Sequence, residues 1–174
     1  MNFSGINYES IADGEGVRVS FFVSGCPIHC PGCFNQSAWS YEAGQPFTEV
    51  VLREIKDRLS RRYIKGVTVL GGEPLDPRNL VGTFHVAKAA KDCGKDVWIY
   101  TGYTMEQLAR RMRLGTDIAL QTVLGNYTDV LVEGPYVEAM RDISLPFRGS
   151  SNQRIIDMAK TIQRNEVVLY QLHS

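Results

Sequence analysis

The stretch Cys26-Pro27-Ile28-His29-Cys30-Pro31-Gly32-Cys33 constrains this chain more than any other. Three of the four cysteines fall within it, spaced Cys-x-x-x-Cys-x-x-Cys, directly after an apolar run, Val17 to Val23, that reads as a strand. A strand running into a loop of Pro, Gly and Cys gathers thiols at its C-terminal end, where a metal or cluster site is presented to solvent and substrate. The fourth cysteine, Cys93, lies far along the chain, so the set makes a poor disulfide framework. A reduced, cytosolic chain is expected, with its cysteines present for ligation. Cys93 itself, at the end of a helical run, reads as a packed small hydrophobe.

At 174 residues the chain is expected to form one domain, 1–174, with a core that needs no disulfides. Lysine plus arginine equals aspartate plus glutamate at 19 each, so neither nucleic acid nor an anionic membrane is an expected partner. Met1 to Asn7 has no basic or apolar signal region, and no apolar run reaches the roughly 18 residues needed to cross a bilayer.

Residues 5–16 end in Asp13-Gly14-Glu15-Gly16 and read as turn-like, and 35–47 as a connection. Thr48 is the expected N-cap of a helix carrying Val51, Leu52, Ile55 and Leu59 to about Tyr63. Gly66 to Leu70 is a second strand, ending in Gly71-Gly72-Glu73-Pro74. A helix over about 79–93, a strand over 95–101 and a Thr104-capped helix to about Met112 follow. A further helical segment is expected over 117–124 and a strand over 129–133, with two last short strands at 155–156 and 167–170. Strands alternating with helices give an α/β fold with a mostly parallel sheet, whose strand ends form the ligand side. A full eight-fold barrel takes about 250 residues, so a partial, open β/α barrel is expected, its open mouth suited to a partner.

Two ligation chemistries compete for the cysteine loop. Cys26, His29, Cys30 and Cys33 form a zinc ligand set, which would make the chain a zinc-binding interaction module. Alternatively the three cysteines hold an iron–sulfur cubane with one iron open to an outside ligand, and His29 stands by. An electron-transfer ferredoxin would want a fourth cysteine ligand.

The cysteine triplet, with Gly71-Gly72-Glu73-Pro74 at the next strand end, resembles the radical S-adenosylmethionine (SAM) superfamily. Asp13 to Arg18, Phe22 to Cys26, Cys30 to Cys33, Gly44 to Phe47, Trp98 to Tyr103 and Arg148 to Gln153 are similar to its glycyl-radical activases, those of anaerobic ribonucleoside-triphosphate reductases above all. The resemblance runs from about residue 10 to about 155. It implies a radical SAM barrel and a 4Fe-4S cluster on Cys26, Cys30 and Cys33. It further implies reductive cleavage of SAM to a 5′-deoxyadenosyl radical that takes a hydrogen atom from a glycine of the reductase's large catalytic subunit. Activation of another glycyl-radical enzyme, of the pyruvate formate-lyase type, is the alternative. A flavodoxin-like or other low-potential donor is implied as electron source, and no catalytic residue beyond the cluster ligands. Gly71, Gly72, Glu73 and Pro74 are the implied SAM loop, with Thr101 at the third strand end and Phe34 the nearest aromatic to the cysteines. Asp13, Glu15 and a surface Arg18 are candidate partner contacts. Asp129 and Glu133 read as solvated or capping carboxylates, and Arg148 to Gln153 as a polar turn.

Overall fold

The computed structural model describes residues 1–115 and 117–173. Its framework is a seven-stranded mixed sheet. The strands in chain order are β1 (Asn2–Ser10), β2 (Val17–Val23), β3 (Gln45–Pro46), β4 (Ile64–Gly71), β5 (Asp96–Thr101), β6 (Val130–Glu133) and β7 (Arg154–Asp157). Across the sheet they run β3-β1-β2-β4-β5-β6-β7. The middle four, β2, β4, β5 and β6, are parallel, and β1, β3 and β7 are antiparallel to their neighbours. Parallel neighbours need crossovers. These contain α1 (Glu49–Leu59), α2 (Leu80–Asp92), and α3 (Met105–Arg113) with the short α4 (Ile118–Thr122). A final helix, α5 (Met158–Arg164), follows β7.

Local chemistry accounts for the helix starts. Thr48, Thr104, Asp117 and Asp157 each accept a backbone N–H of the first helical turn, and Thr104 completes a capping box with Gln107. Helix α1 turns Leu52, Ile55 and Leu59 inward at helical spacing. Helix α4 runs into a π-helical turn over Val123–Tyr127.

Sheet register sorts the two faces. Val19 pairs with Val67 and Val67 with Val97, while Phe21 pairs with Val69, Val69 with Ile99, and Ile99 with Leu131. These apolar rows pack with the helices into the main core. The opposite face carries the row Ser20, Thr68, Trp98 and Val130. Its apolar end is covered by Phe147, Tyr170 and Leu172.

Four expectations are corrected. Residues 2–10 are a nine-residue strand rather than part of a turn-like entry, because pairing with β2 and β3 stabilises a sequence that has no strand pattern of its own. Residues 167–170 contribute a single bridge, Leu169 to Ile156, and not a strand. Arg18 is no surface residue but 0 % exposed, its guanidinium satisfied by Thr68 Oγ1, the Glu15 and Val67 carbonyls and Asp96. Glu133 is not solvated but buried and paired with Arg154, while the capping half of its expectation holds, since it accepts the N–H of Met105, the first residue of α3. Asp129 binds Lys91 and the Val97 N–H, while Cys93 packs half-buried against the core.

Candidate metal centre

The C-terminal ends of β2, β4, β5 and β6 point to one side of the sheet, and a cavity of about 130 Å³ sits there. Cys26, Cys30 and Cys33 line it from the β2 loop, Gly71, Gly72 and Glu73 from the β4 end, and Thr101 and Gly102 from the β5 end. All three thiols are free. The loop reaches this shape through left-handed backbone at Gly25 (φ 93°), His29 (φ 51°) and Gly32 (φ 73°), a region that glycine enters without steric cost. Gly25 has no room for a side chain, since a Cβ there would lie 2.0 Å from the Tyr41 ring.

Three observations bear on the two ligation readings. Burial pushes the Cys26 thiol up, against backbone donors at Ile28 and His29, and pushes Cys30 up in the same way. A bound cation would offset that cost of ionising them. Among the described residues, no three His, Cys, Asp or Glu side chains converge closely enough to share one ion. Thiols that share a cavity but not a point suit a cluster, in which each thiolate binds a different iron. The His29 ring stacks on Trp39 at 4.5 Å, an aromatic contact rather than a place in a tetrahedral ligand set.

Glu73 is 1 % exposed. Its Oε1 accepts from the Leu75 N–H (2.9 Å) and the Thr101 hydroxyl (2.7 Å), and its Oε2 from the Gly102 N–H (2.8 Å). Burial pushes its carboxyl up to about 7 against those three donors. The side chain therefore ties the β4 end to the β5 end, and the Thr101 hydroxyl is engaged there rather than free. Pro74 is buried behind the loop, where its carbonyl accepts from Thr83, and it does not line the cavity. Phe34 lies at the rim, 92 % exposed.

Asp13 and Glu15 are both occupied within the chain. Asp13 accepts from Ser10 and Ser20, and Glu15 from Tyr170 and His173. Asp13 nevertheless borders a larger groove of about 610 Å³, which shares Cys33, Phe34, Tyr100, Tyr136 and Gln153 with the thiol cavity.

Sequence reasoning overlooked Tyr136, and it singled out Gln153 only within a polar turn without a role. The polar turn from Arg148 to Gln153 folds on itself, with the Gln153 amide oxygen taking the Gly149 and Ser150 N–H groups. Gln153 Nε2 and Asn152 Nδ2 then hold the Gly134 and Pro135 carbonyls. The turn thus docks on the β6 end and sets Gln153 against the cavity. Its concentration of Gly, Ser and Asn signals a turn but not that target. Asn79 was also overlooked, since the sequence places it only at the start of the helix over about 79–93.

A parallel-cored α/β sheet with three unpaired thiols on a strand-end loop suits a single-cluster iron–sulfur site. The model of the 4Fe-4S single cluster domain matches residues 12–156. Similar proteins include the anaerobic ribonucleoside-triphosphate reductase-activating protein of Escherichia coli (strain K12), 38 % identical over 88 % of this chain and 96 % of the relative. The same-named proteins of Pasteurella multocida (strain Pm70) and Enterobacteria phage T4 are 40 % and 35 % identical. Each alignment covers 89 % of this chain, with 96 % and 93 % of the respective relative. The chain belongs to the family of anaerobic ribonucleoside-triphosphate reductase-activating proteins.

Proposed function

We propose that this chain activates an anaerobic ribonucleoside-triphosphate reductase by generating a glycyl radical on the large catalytic subunit. The observation that carries the reading is one cavity, at the ends of parallel strands, shared by three free thiols and the Gly71-Gly72-Glu73 loop, in a chain of this family. When bound, a 4Fe-4S cluster and SAM supply one-electron cleavage of the sulfonium and the 5′-deoxyadenosyl radical that takes a glycine Cα hydrogen.

The chain's own residues have distinct tasks in this reading. Cys26, Cys30 and Cys33 hold the cluster and leave one iron without a protein ligand. Gly71 and Gly72 let backbone approach SAM closely. Glu73 acts from beneath, keeping Thr101 and Gly102 against that loop. Phe34 offers an exposed aromatic face to SAM at the rim. Asp13, on the adjoining groove, stands where a reductase loop enters, while the buried Arg18 supports that segment from inside.

We read the sheet as the wall of a partial, open barrel of the radical SAM type, within a single domain of residues 1–174. Free thiols in a reduced site fit a cytoplasmic protein served by a flavodoxin-like or other low-potential donor; no helix among the described residues is long and apolar enough to cross a membrane.

The test is anaerobic reconstitution with iron and sulfide, reduction, and addition of SAM, with 5′-deoxyadenosine and methionine quantified. Stoichiometric cleavage that disappears in Cys30→Ala is expected. A protein that takes up zinc and no iron, and leaves SAM intact, would sink the reading.

A further inference from the structure

Asn79 occupies the N-cap position of α2. Asparagine is favoured there because its side-chain oxygen accepts an N–H of the first helical turn. Asn79 makes no such bond. Its carboxamide turns back toward the ends of β2 and β4 instead. Nδ2 donates to the carbonyls of Ser24 at 3.0 Å, Gly25 at 3.1 Å and Glu73 at 3.0 Å. Two N–H protons thus serve three acceptors, at a residue only 1 % exposed, where water has no access to replace them.

The three acceptors belong to the two loops that make the site. Ser24 and Gly25 immediately precede Cys26, and Glu73 closes the glycine loop. Backbone bonds run along the same contact, from Gly72 N–H to the Val23 carbonyl at 2.7 Å and from Glu73 N–H to the Gly25 carbonyl at 2.8 Å. The approach is too close for side chains, since a Cβ on Gly72 would lie 2.4 Å from the Gly25 oxygen. Among the described residues, Asn79 is the one side chain that bonds to both loops at once, and it does not itself line the cavity.

We infer that Asn79 is a positioning residue, a clamp that fixes the cysteine loop against the glycine loop and so sets how SAM sits relative to the cluster. The inference rests on the proposed function, which assigns the cluster to one loop and SAM to the other. The donors, not the helix cap, carry the role. Aspartate caps a helix as well as asparagine does, but it cannot donate, and its carboxylate would face three carbonyl oxygens.

The experiment compares reconstituted wild type, Asn79→Ala, Asn79→Asp and Asn79→Ser. Iron and sulfide content and thermal midpoint are measured first, then the change that SAM titration produces in the electron paramagnetic resonance spectrum of the reduced cluster. Wild type is expected to show a saturable SAM-induced change. Asn79→Ala is expected to load its cluster and need about tenfold more SAM for a diminished change, the loss of one to two buried donors. Asn79→Asp should be at least as impaired, and Asn79→Ser, with one hydroxyl donor, intermediate. A loaded Asn79→Ala or Asn79→Asp that responds to SAM as wild type does would overturn the clamp. If Asn79→Ala loads no cluster, loading that returns in Asn79→Ser but not in Asn79→Asp supports it, and the reverse order overturns it. A wild type that loads iron yet never responds to SAM would instead refute the underlying function.

Discussion

Tyr170 lies in the stretch expected as a last short strand, beyond the residues that carry the family resemblance, and its replacement has a calculable cost. Its ring meets Trp98 edge-on, with centroids 5.4 Å apart at 73°, and its hydroxyl donates to Glu15 at 3.0 Å. Its N–H binds the Ile155 carbonyl, a contact that any non-proline residue keeps. An edge-to-face pair is worth about 0.5–1.5 kcal/mol and a net hydrogen bond about 1 kcal/mol. With the ring's lost burial, Tyr170→Ala should cost roughly 2–3 kcal/mol, or about 5–10 °C in Tm for a chain of this size. Tyr170→Phe keeps the ring and should lose only about 2–4 °C. Circular-dichroism melts of the metal-free, reduced protein read both values. Tryptophan fluorescence should shift to the red in Tyr170→Ala alone, because Trp98 is buried under the tail. The acid limb adds a signature. Burial raises the Glu15 carboxyl, but the bonds from His173 and Tyr170 outweigh it and hold the group below its ordinary 4.5. That stabilisation is present above 4.5 and disappears as pH falls through the lowered value. The gap between wild type and Tyr170→Phe should therefore close in acid. A Tyr170→Ala protein that melts within about 1 °C of wild type, with unchanged fluorescence, would refute the packing of the tail on this face.

Three other perturbations follow from the same geometry. Arg18→Met removes the buried guanidinium from Thr68, the Glu15 and Val67 carbonyls and the part-exposed Asp96, and should lower the stability read from urea unfolding by about 2–3 kcal/mol; an unchanged midpoint would mean the guanidinium contributes nothing net. Gly25→Ala places a methyl group against Tyr41 in left-handed backbone, so iron and sulfide bound per chain on reconstitution should fall well below wild type while the far-ultraviolet spectrum is retained. Glu73→Gln removes an acceptor from Leu75, Thr101 or Gly102 and a carboxyl that burial pushes up to about 7. Because the folded chain keeps that proton after the unfolded chain, near 4.5, has released it, wild-type stability without metal falls as pH rises between those values. Urea midpoints of Glu73→Gln across that range should lack this part of the slope.

The parallel middle of the sheet was legible because its information is local. Val19, Phe21 and Val23 alternate, Leu52, Ile55 and Leu59 recur at helical spacing, and Thr48 and Thr104 sit where caps are needed. The convergence of the thiol loop was legible for the same reason, as three cysteines within eight residues are brought together by one loop. Strand β1 was not, because Asn2–Ser10 mixes Gly, Asn and Ser with apolar residues and is bulged against β2 at two points. Its conformation is set by the neighbours it pairs with.

Charged side chains were misread for a related reason. An arginine inside an alternating strand looks solvated until its acceptors are known, and those of Arg18 come from Thr68 and Asp96, 50 and 78 residues away. Glu133 finds Arg154 across the β6–β7 pair in the same manner. Asn79 shows the limit most sharply. The sequence places it only at the start of a helix, and the N-cap position it takes in the fold would ordinarily make it an acceptor toward the next turn. What it does is donate, to carbonyls 54 and 55 residues earlier and six residues earlier. Local rules identify which residues can bond; only the fold decides whether an amide gives or receives, and here that choice joins the two loops on which the proposed chemistry depends.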